Sequence, residues 1–431
     1  MALPTLTYNA SSGSDTAASG AGPATAITGS SAAHTGGSST TTITLTGSPD
    51  LSAVATDGSH VIWLAKSGSR RLSKITGADN TAKTVTVEDS FNIAAPDAVN
   101  FAIGGKRKTL DADTSRTDPA DWKEGWTIEF DTGTYDVQAE IACLGGTAAT
   151  GPTVIRASSD ATGRPTIRTE GSGYDLWVLN DTESSFVFEG LKFDTATNGG
   201  SGDVGIQLNA IDMHAQIIDC EFQTEGNCIF VTKNGSSFDL NNSTFSSVLR
   251  RCITSGGAAD VHISATHCKF VGSGSGYTGI NFNAGNASSL TLYENEIRGI
   301  ATHGVFFEPD VSGMMVTIVN NTFVNCGSAG IYQNGTLLAG SGYKIKNNIF
   351  WSCGTYGIQA SDANFAKVQI GPNAFGDNGT AATTNVLAHS SDINVASDPF
   401  VSLGSHDYKL NSAATGGALL RDTAVDIEGL A

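Results

Sequence analysis

The sequence predicts a parallel β-helix, a coil in which each turn places short strands in stacked parallel sheets. A large apolar residue recurs about every 25 residues through the second half of the chain. Apolar and polar residues alternate just before it, which is the two-residue period of a β-strand. A further short strand follows each of these residues, usually after a glycine. The recurring residues, called the marker column here, are Phe222, Phe245, Phe270, Ile297, Phe323, Phe350 and Phe375.

A polar column accompanies the apolar one. Two positions before the marker stand Asn295, Asn321, Asn348 and Asn373. Neighbouring rungs of a parallel coil lie about 4.8 Å apart. Stacked asparagines can therefore hydrogen-bond to one another and to the backbone along the axis. We expect this column to be buried.

The seven cysteines do not indicate a disulfide framework or a zinc site. Their number is odd, and no pair of CxxC spacings occurs. Cys326 and Cys353 both lie three residues past their markers, so we expect them to stack as small buried hydrophobes. The sequence predicts neither a metal nor a cofactor.

Length and charge narrow the class of protein. A chain of 431 residues is too long for one compact core but suits a solenoid with a smaller domain. Only 15% of the residues are charged, and the formal net charge is −18. This acidity argues against a nucleic-acid partner. No segment is long and apolar enough to predict membrane insertion.

The N-terminal part differs in composition. Residues 1–40, rich in Ser, Thr, Ala and Gly, predict a low-complexity arm. Residues 41–110 predict a small all-β domain with a hairpin turn at Gly77–Asn80. This domain holds two basic clusters, which predict docking to an acidic surface; a solvated face is the alternative. The clusters are Arg70, Arg71 and Lys74, and Lys106, Arg107 and Lys108.

The coil is expected over residues 111–375, in about ten rungs, with a cap at 376–431. The segment Thr127–Tyr135 resembles the first turn of right-handed parallel β-helix proteins, where a strand ends at Gly-x-Tyr. Asp398-Pro-Phe-Val401, followed by Asp407–Leu410, resembles the closing segment of extracellular and phage β-helix proteins. The expected fold class is therefore all-β, a right-handed parallel β-helix with a small N-terminal β domain and an arm.

The first 110 residues carry a second resemblance. The opening Leu3–Tyr8 and the hairpin containing Ser73–Thr76 and Lys83–Glu88 are similar to structural proteins of tailed phages. The resemblance implies a virion protein, either a capsid decoration or a tail spike or fibre. It would attach to other virion proteins through its N-terminal region, project its β-helix outward and assemble as a homotrimer. No secretion signal is visible at the start, so we expect assembly in the host cytoplasm and exposure after lysis.

Two places could carry chemistry. His267 and Glu294 both stand three residues before a marker, so they should be rung neighbours and could form an acid–base couple. Glu308 and Asp310 are further candidate catalytic acids after a strand. The alternative for the first pair is an ordinary hydrogen bond in a turn, which the sequence favours.

Outward positions of the strand after the marker form the second place. Phe306 and Tyr332 are predicted neighbours there, accompanied by Asn281, Asn283, Asn334 and Gln359. Such a surface would bind a host surface polysaccharide or form a subunit interface. The interface is the favoured interpretation.

Three functions remain open from the sequence. A structural virion protein is favoured because no diagnostic catalytic motif is found. A tailspike-type polysaccharide depolymerase, either a hydrolase or a lyase, is the first alternative. A secreted bacterial adhesin is the second.

Overall fold

The computed structural model divides the chain into two compact units, Met1–Asn198 with Met213–Ala215, and Gly199–Asp212 with Gln216–Ala431. The structure describes residues 5–8, 27–30, 40–57, 59–66, 69–91, 100–103, 124–137, 140–142, 145–169, 175–195, 204–247, 250–257, 259–272, 278–307, 312–336, 340–362, 370–405 and 407–421.

The second unit is a right-handed parallel β-helix of about eight turns, which confirms the predicted fold class. Its strands are β16 (Val204–Leu208), β17 (His214–Ile218, of which Gln216–Ile218 lie in this unit), β18 (Glu221–Thr224), β19 (Asn227–Val231), β20 (Ser237–Asn241), β21 (Thr244–Ser247), β22 (Arg251–Gly256), β23 (His262–Thr266), β24 (Lys269–Gly272), β25 (Thr278–Asn283), β26 (Ser289–Tyr293), β27 (Glu296–Arg298), β28 (His303–Phe307), β29 (Met315–Val319), β30 (Thr322–Val324), β31 (Ala329–Gln333), β32 (Gly342–Lys346), β33 (Ile349–Trp351), β34 (Tyr356–Ala360), β35 (Ala374–Gly376), β36 (Ala381–Thr384) and β37 (Ile393–Asn394).

These strands form three sheets in which each strand pairs with the equivalent strand one turn later. Sheet A runs β17-β20-β23-β26-β29-β32, and sheet B runs β16-β19-β22-β25-β28-β31-β34-β36. Sheet C runs β18-β21-β24-β27-β30-β33-β35-β37 and contains the marker column. Marker rings stack inside the coil, with centroids 4.9 Å apart for Phe222 and Phe245 and 4.8 Å apart for Phe323 and Phe350. The 25-residue period is thus one turn of the coil.

The first unit contains coil strands of the same kind and a separate antiparallel sheet. Its strands are β1 (Thr5–Tyr8), β2 (Ile27–Ser30), β3 (Thr40–Thr44), β4 (Val61–Lys66), β5 (Ser69–Asp79), β6 (Thr84–Phe91), β7 (Asn100–Ile103), β8 (Thr127–Phe130), β9 (Thr134–Val137), β10 (Ile141–Ala142), β11 (Thr153–Ala157), β12 (Thr166–Thr169), β13 (Trp177–Leu179), β14 (Ser185–Glu189) and β15 (Lys192–Asp194).

Strand β1 corrects the predicted N-terminal arm. It pairs in parallel with β8, and Leu6 and Tyr8 are fully buried. The ring of Tyr8 stacks on Phe130 with centroids 5.1 Å apart, and the Tyr135 hydroxyl donates to the Tyr8 carbonyl at 3.0 Å. A strand edge left open at β8 would expose unpaired backbone groups, and β1 satisfies them. The arm therefore supplies a coil strand.

The antiparallel sheet lies between β1 and β8 in the chain. Its strand order is β2-β7-β4-β5-β6-β3, so Ile27–Ser30 from the predicted arm also belongs to it. The β5–β6 turn comes later than Gly77–Asn80 because β5 continues to Asp79. The Asp79 carboxylate accepts the backbone N–H groups of Thr81 and Ala82 at 2.8 Å, which fixes that turn. The sheet is an insertion between two paired strands of the coil.

The asparagine column is a buried hydrogen-bonded ladder. The Oδ1 atom of Asn321 accepts the backbone N–H of Asn295 at 2.8 Å and its side-chain amide at 2.9 Å. The Oδ1 atom of Asn348 serves Asn321 in the same way, and that of Asn373 serves Asn348. All four side chains are at most 3% exposed. The ladder thus satisfies the backbone at the turn between sheets A and C.

In each turn, the residue that precedes the ladder position has left-handed backbone geometry. The φ angles lie between 49° and 60° for Asp219, Asn242, His267, Glu294, Asn320 and Asn347. Asn, Asp and His tolerate this region better than most residues. The backbone geometry required at this turn therefore explains most of the residue types found in the column.

The coil extends beyond the predicted boundary at residue 375. Strands β36 and β37 pair with β34 and β35, so the coil continues to Asn394. The chain then forms the antiparallel hairpin of β38 (Phe400–Ser402) and β39 (Asp407–Leu410), followed by α1 (Gly417–Arg421). Phe400 and Leu420 pack with the outward residues Val324, Trp351 and Ala374 of sheet C. The hairpin covers this face because these outward positions are apolar.

We expect Asn321→Ala to lower the free energy of unfolding by at least about 2 kcal/mol. The substitution leaves two buried donors of Asn295 without their acceptor and two buried carbonyls without their donor. The exposed Asn241→Ala is the matched control and should change stability little. Chemical denaturation midpoints would measure both, and equal midpoints would contradict the ladder's role.

Candidate functional site

An aromatic cluster lies on the outer side of sheet B. Phe306 and Tyr332 are register neighbours, as predicted, and their ring centroids are 5.6 Å apart in an edge-on arrangement. His303 completes the cluster, with its ring 4.6 Å from that of Tyr332 and 5.9 Å from that of Phe306. All three side chains are partly exposed. We call these three residues the aromatic platform.

Sequence reasoning missed His303. Strict alternation from Val305, which faces the core, would also place residue 303 inside. Gly304 breaks this alternation because it too faces the core. A Cβ atom there would lie 2.9 Å from Phe323 and 3.1 Å from the Cys326 sulfur. The glycine before the strand was the available signal that the alternation breaks.

Amide side chains continue the same outward column. Asn281 precedes Phe306 by one rung and Gln359 follows Tyr332 by one rung. Asn281 is 9% exposed, and its Nδ2 donates to the Thr254 hydroxyl at 3.2 Å. Its Oδ1 has no hydrogen-bond partner among the residues described. The column therefore places two rings between two amides.

The remaining predicted residues around this column differ in their placement. Asn283 is exposed at the end of β25. Asn334 accepts the Tyr332 hydroxyl at 3.3 Å, which orients that ring. Glu308 and Asp310 lie outside the described residues, so their proposed catalytic role stays a prediction.

A groove of about 290 Å³ forms a second candidate site. Its lining residues come from the left-handed turn column, from the outer face of sheet C and from the C-terminal hairpin. They are His267, Cys268, Lys269, Glu294, Asn295, Glu296, Asn320, Thr322 and Tyr408. Tyr408 could not be assigned to this site from the sequence because it comes from outside the repeat.

The predicted neighbours His267 and Glu294 are brought together. The His267 Nε2 atom lies 2.6 Å from Oε2 of Glu294. Both side chains remain accessible, at 58% and 39% exposure. A carboxylate can only accept, so in the neutral ring Nε2 carries the proton and Nδ1 holds the lone pair. The pair is a histidine base oriented by a carboxylate.

The groove is also lined by one cation, Lys269, and by a second carboxylate, Glu296, which pairs with Arg298 beside the groove. The Arg298 Nε lies 2.6 Å from Oε1 of Glu296, while the Lys269 Nζ is 4.0 Å from its Oε2. Lys269 is thus the more loosely held cation, and its side chain is 58% exposed. Burial raises the pKa of Tyr408, whose ring packs edge-on against Phe400 at 5.1 Å. Tyr408 is therefore protonated at neutral pH.

The predicted attachment residues are only partly described. Lys74 is 8% exposed and its Nζ lies 3.6 Å from Glu88. It therefore packs within the antiparallel sheet, which corrects its assignment to a basic docking surface. Arg70 and Arg71 belong to β5, but their side chains lie outside the described part, as do Lys106, Arg107 and Lys108.

The six described cysteines are buried and free. Hydrogen bonding to Cys353, together with burial, raises the pKa of the Cys326 thiol well above its usual value. Within the described ranges, no group of three or more His, Cys, Asp or Glu side chains is placed to hold a metal ion. No described helix has the length and apolar character needed to cross a membrane.

Comparison with known proteins gives one family match and several solved structures. The family described as right-handed beta helix region matches residues 204–375. The tailspike gp49 of Acinetobacter baumannii bacteriophage Fri1, a capsular polysaccharide depolymerase, is 10% identical with a TM-score of 0.39. That alignment covers 70% of this chain and 61% of the tailspike. No curated protein matches the sequence.

Two further structures are similar at the same level. The catalytic domain of a GH87 alpha-1,3-glucanase in complex with nigerose is 10% identical, with a TM-score of 0.31 and 89% of each chain covered. The periplasmic alginate epimerase AlgG is 10% identical, with a TM-score of 0.30, 80% of this chain covered and 93% of the epimerase.

We expect His303 to make stability depend on pH. Burial lowers its pKa from 6.5 to about 4 in the folded protein. The unfolded chain therefore binds more protons between these values. The contribution is fully present above pH 6.5 and is lost as the pH falls toward 4, by on the order of 3 kcal/mol.

Denaturation midpoints measured between these pH values would test this expectation. His303→Gln should remove the part of the pH dependence that comes from this site. His262→Gln, at an exposed histidine of sheet A, is the matched control. Identical pH profiles for wild type and His303→Gln would contradict the assignment.

Proposed function

We propose that this chain is a tailspike-type virion protein of a tailed phage, whose coil binds a surface polysaccharide through the aromatic platform. The antiparallel sheet of the first unit would attach it to the particle. The phage assignment is supported by the resemblance of the first 110 residues. The polysaccharide contact is supported by the platform and its flanking amides.

The single observation that carries the binding proposal is the order of side chains along one outward column. Phe306, Tyr332 and Gln359 follow one another, one per rung, and all three are partly exposed. Thr254 and Asn281 precede them in the same column but are only 3% and 9% exposed. Two rung intervals of about 4.8 Å extend over roughly 10 Å. Aromatic faces can pack on the C–H faces of sugar rings, while amide groups bond their hydroxyls. The exposed part of this column therefore fits a saccharide.

A second copy of the chain is the competing occupant of this surface. The interior of a stable subunit interface is more apolar than the surface as a whole. Here the two rings are bordered by the amides of Asn281 and Gln359, and the partly exposed Gln359 can hydrogen-bond the hydroxyls of a ligand. This polar border favours the saccharide.

We expect Phe306→Ala and Tyr332→Ala each to weaken polysaccharide binding by at least about fivefold, because an aromatic contact contributes about 1 kcal/mol beyond area burial. Titration calorimetry with purified capsular or lipopolysaccharide fragments would measure it. Tyr293→Ala, a partly exposed tyrosine on sheet A, is the matched control. Unchanged affinity in both platform variants would contradict the proposal.

Sedimentation of the same variants separates the two occupants. If Phe306→Ala converts an oligomer to a 44.3 kDa monomer and leaves saccharide affinity intact, the platform is a subunit interface. If the variant loses saccharide affinity at an unchanged oligomeric state, the platform is the polysaccharide site.

The insertion topology defines the attachment test. Replacing residues 9–123 by a Gly-Ser linker of about a dozen residues keeps β1, because a connection between parallel strands needs that length. This variant should fold and fail to enter phage particles. Deleting residues 1–110 also removes Leu6 and Tyr8 from the core, so it should be less stable. Normal incorporation of the linker variant would contradict attachment through the sheet.

A further inference from the structure

We propose that the groove beside Tyr408 is an active site that cleaves a uronate-containing polysaccharide by β-elimination, with His267 as the base. The inference rests on the proposed polysaccharide-binding function, independently of the platform as the place of contact, and adds a reaction and a substrate class to it. The site is separate from the aromatic platform, since it lies at the turn column and on sheet C.

The arrangement of acids and bases argues for proton abstraction rather than hydrolysis. Glycoside hydrolysis uses two carboxyl groups, one of them a protonated acid. Both groove carboxylates are already engaged, Glu294 by His267 and Glu296 by Arg298, each at 2.6 Å. The accessible base is Nδ1 of His267. Its partner Glu294 orients the ring and stabilises the cation that forms when the base takes a proton.

Lys269 supplies the charge that such a reaction needs. The proton on C5 of a uronate becomes acidic only when the adjacent carboxylate is neutralised, because negative charge develops there. The ammonium of Lys269 is exposed, lines the groove and is held only loosely by Glu296. Asn320 also lines the groove; its Nδ2 donates one N–H to the Tyr293 hydroxyl at 3.3 Å, which leaves the second N–H for the same oxygens. A neutral sugar would leave this cation unused.

Tyr408 is positioned to act as the acid. Burial raises the pKa of its hydroxyl, so a proton is present at neutral pH. The side chain lines the same groove as His267, comes from β39 and is hydrogen-bonded to the Arg298 side chain. The C-terminal hairpin therefore completes a site that the coil alone does not form.

The step balances without a further reactant. Nδ1 of His267 takes the proton from C5, and that electron pair forms the C4–C5 double bond. The C4–O4 bond breaks, and O4 leaves with the proton of the Tyr408 hydroxyl. The products are a new sugar end and an unsaturated uronate. Proton exchange with water then restores both side chains.

The test uses the full chain with polygalacturonate, alginate, glucuronan and hyaluronan, and follows the ultraviolet absorbance of the unsaturated product. His267→Asn should lower kcat by at least about 10²-fold, since general base catalysis contributes that much. Asparagine suits the left-handed φ of 54° and already occupies this turn position at Asn242 and Asn320. The matched control Asp219→Asn, in the same column outside the groove, should keep wild-type activity.

Two further variants separate a chemical role from a structural one. Tyr408→Phe retains the ring on Phe400 and removes the hydroxyl together with its hydrogen bond to Arg298. The denaturation midpoint should therefore fall only slightly, while kcat should fall steeply. Lys269→Gln should lower kcat on polymers and short oligouronides alike, because the carboxylate that it neutralises belongs to the reacting residue. Equal activity of His267→Asn and wild type would overturn the inference.

The outcomes for the two proposals are distinguishable. If polyuronates bind through the platform but no unsaturated product forms on any of the four polymers, the inference fails and the proposed function stands. Release of reducing ends without the absorbance would indicate hydrolysis and would also overturn it. If product forms while Phe306→Ala and Tyr332→Ala bind polymer as tightly as wild type, the inference stands and the platform proposal fails.

Discussion

The rung-to-rung pairing of the second unit is the constraint on which the rest depends. Because strands pair in parallel with no shift in register, each residue lies over the residue that holds the same position one turn earlier. Residues at the same position of the repeat therefore have the same environment in every turn. The core position becomes a stack of phenylalanines, the first turn position a left-handed column, and the next a ladder of amides. The outward positions are aligned in the same way, so side chains from successive turns form continuous surfaces.

This alignment explains which predictions from the sequence are correct. The marker stack, the asparagine ladder, the His267–Glu294 pair and the Phe306–Tyr332 pair are all statements about one column. Each needs only the period and the parallel pairing, and both are local properties of the sequence. The repeat predicts which residues are neighbours on adjacent turns, but it does not predict their distances. The 2.6 Å contact between His267 and Glu294 could therefore be found only in the structure.

Features that depend on distant segments were beyond such reasoning. Strand β1 pairs with β8 across more than a hundred residues, and no period connects Tyr8 to Phe130. Tyr408 reaches the groove because the hairpin covers apolar outward residues of sheet C. This packing depends on the fit between two surfaces that are far apart in the sequence. His303 was missed for a smaller reason, since Gly304 faces the core and breaks the alternation by one residue. In each case the deviation from the repeat adds a residue to a candidate site or to the core.

The last member of the amide ladder limits how the coil can change in length. Asn373 donates its backbone N–H to Oδ1 of Asp392, whose other oxygen accepts the N–H of His389. Every preceding asparagine both accepts from one neighbour and donates to the next, whereas a carboxylate only accepts. Duplicated turns could therefore be inserted upstream of this aspartate during evolution or engineering and join the row without a mismatch. Turns appended after it would meet a charge where an amide is required, so such coils should lengthen from within rather than at this end.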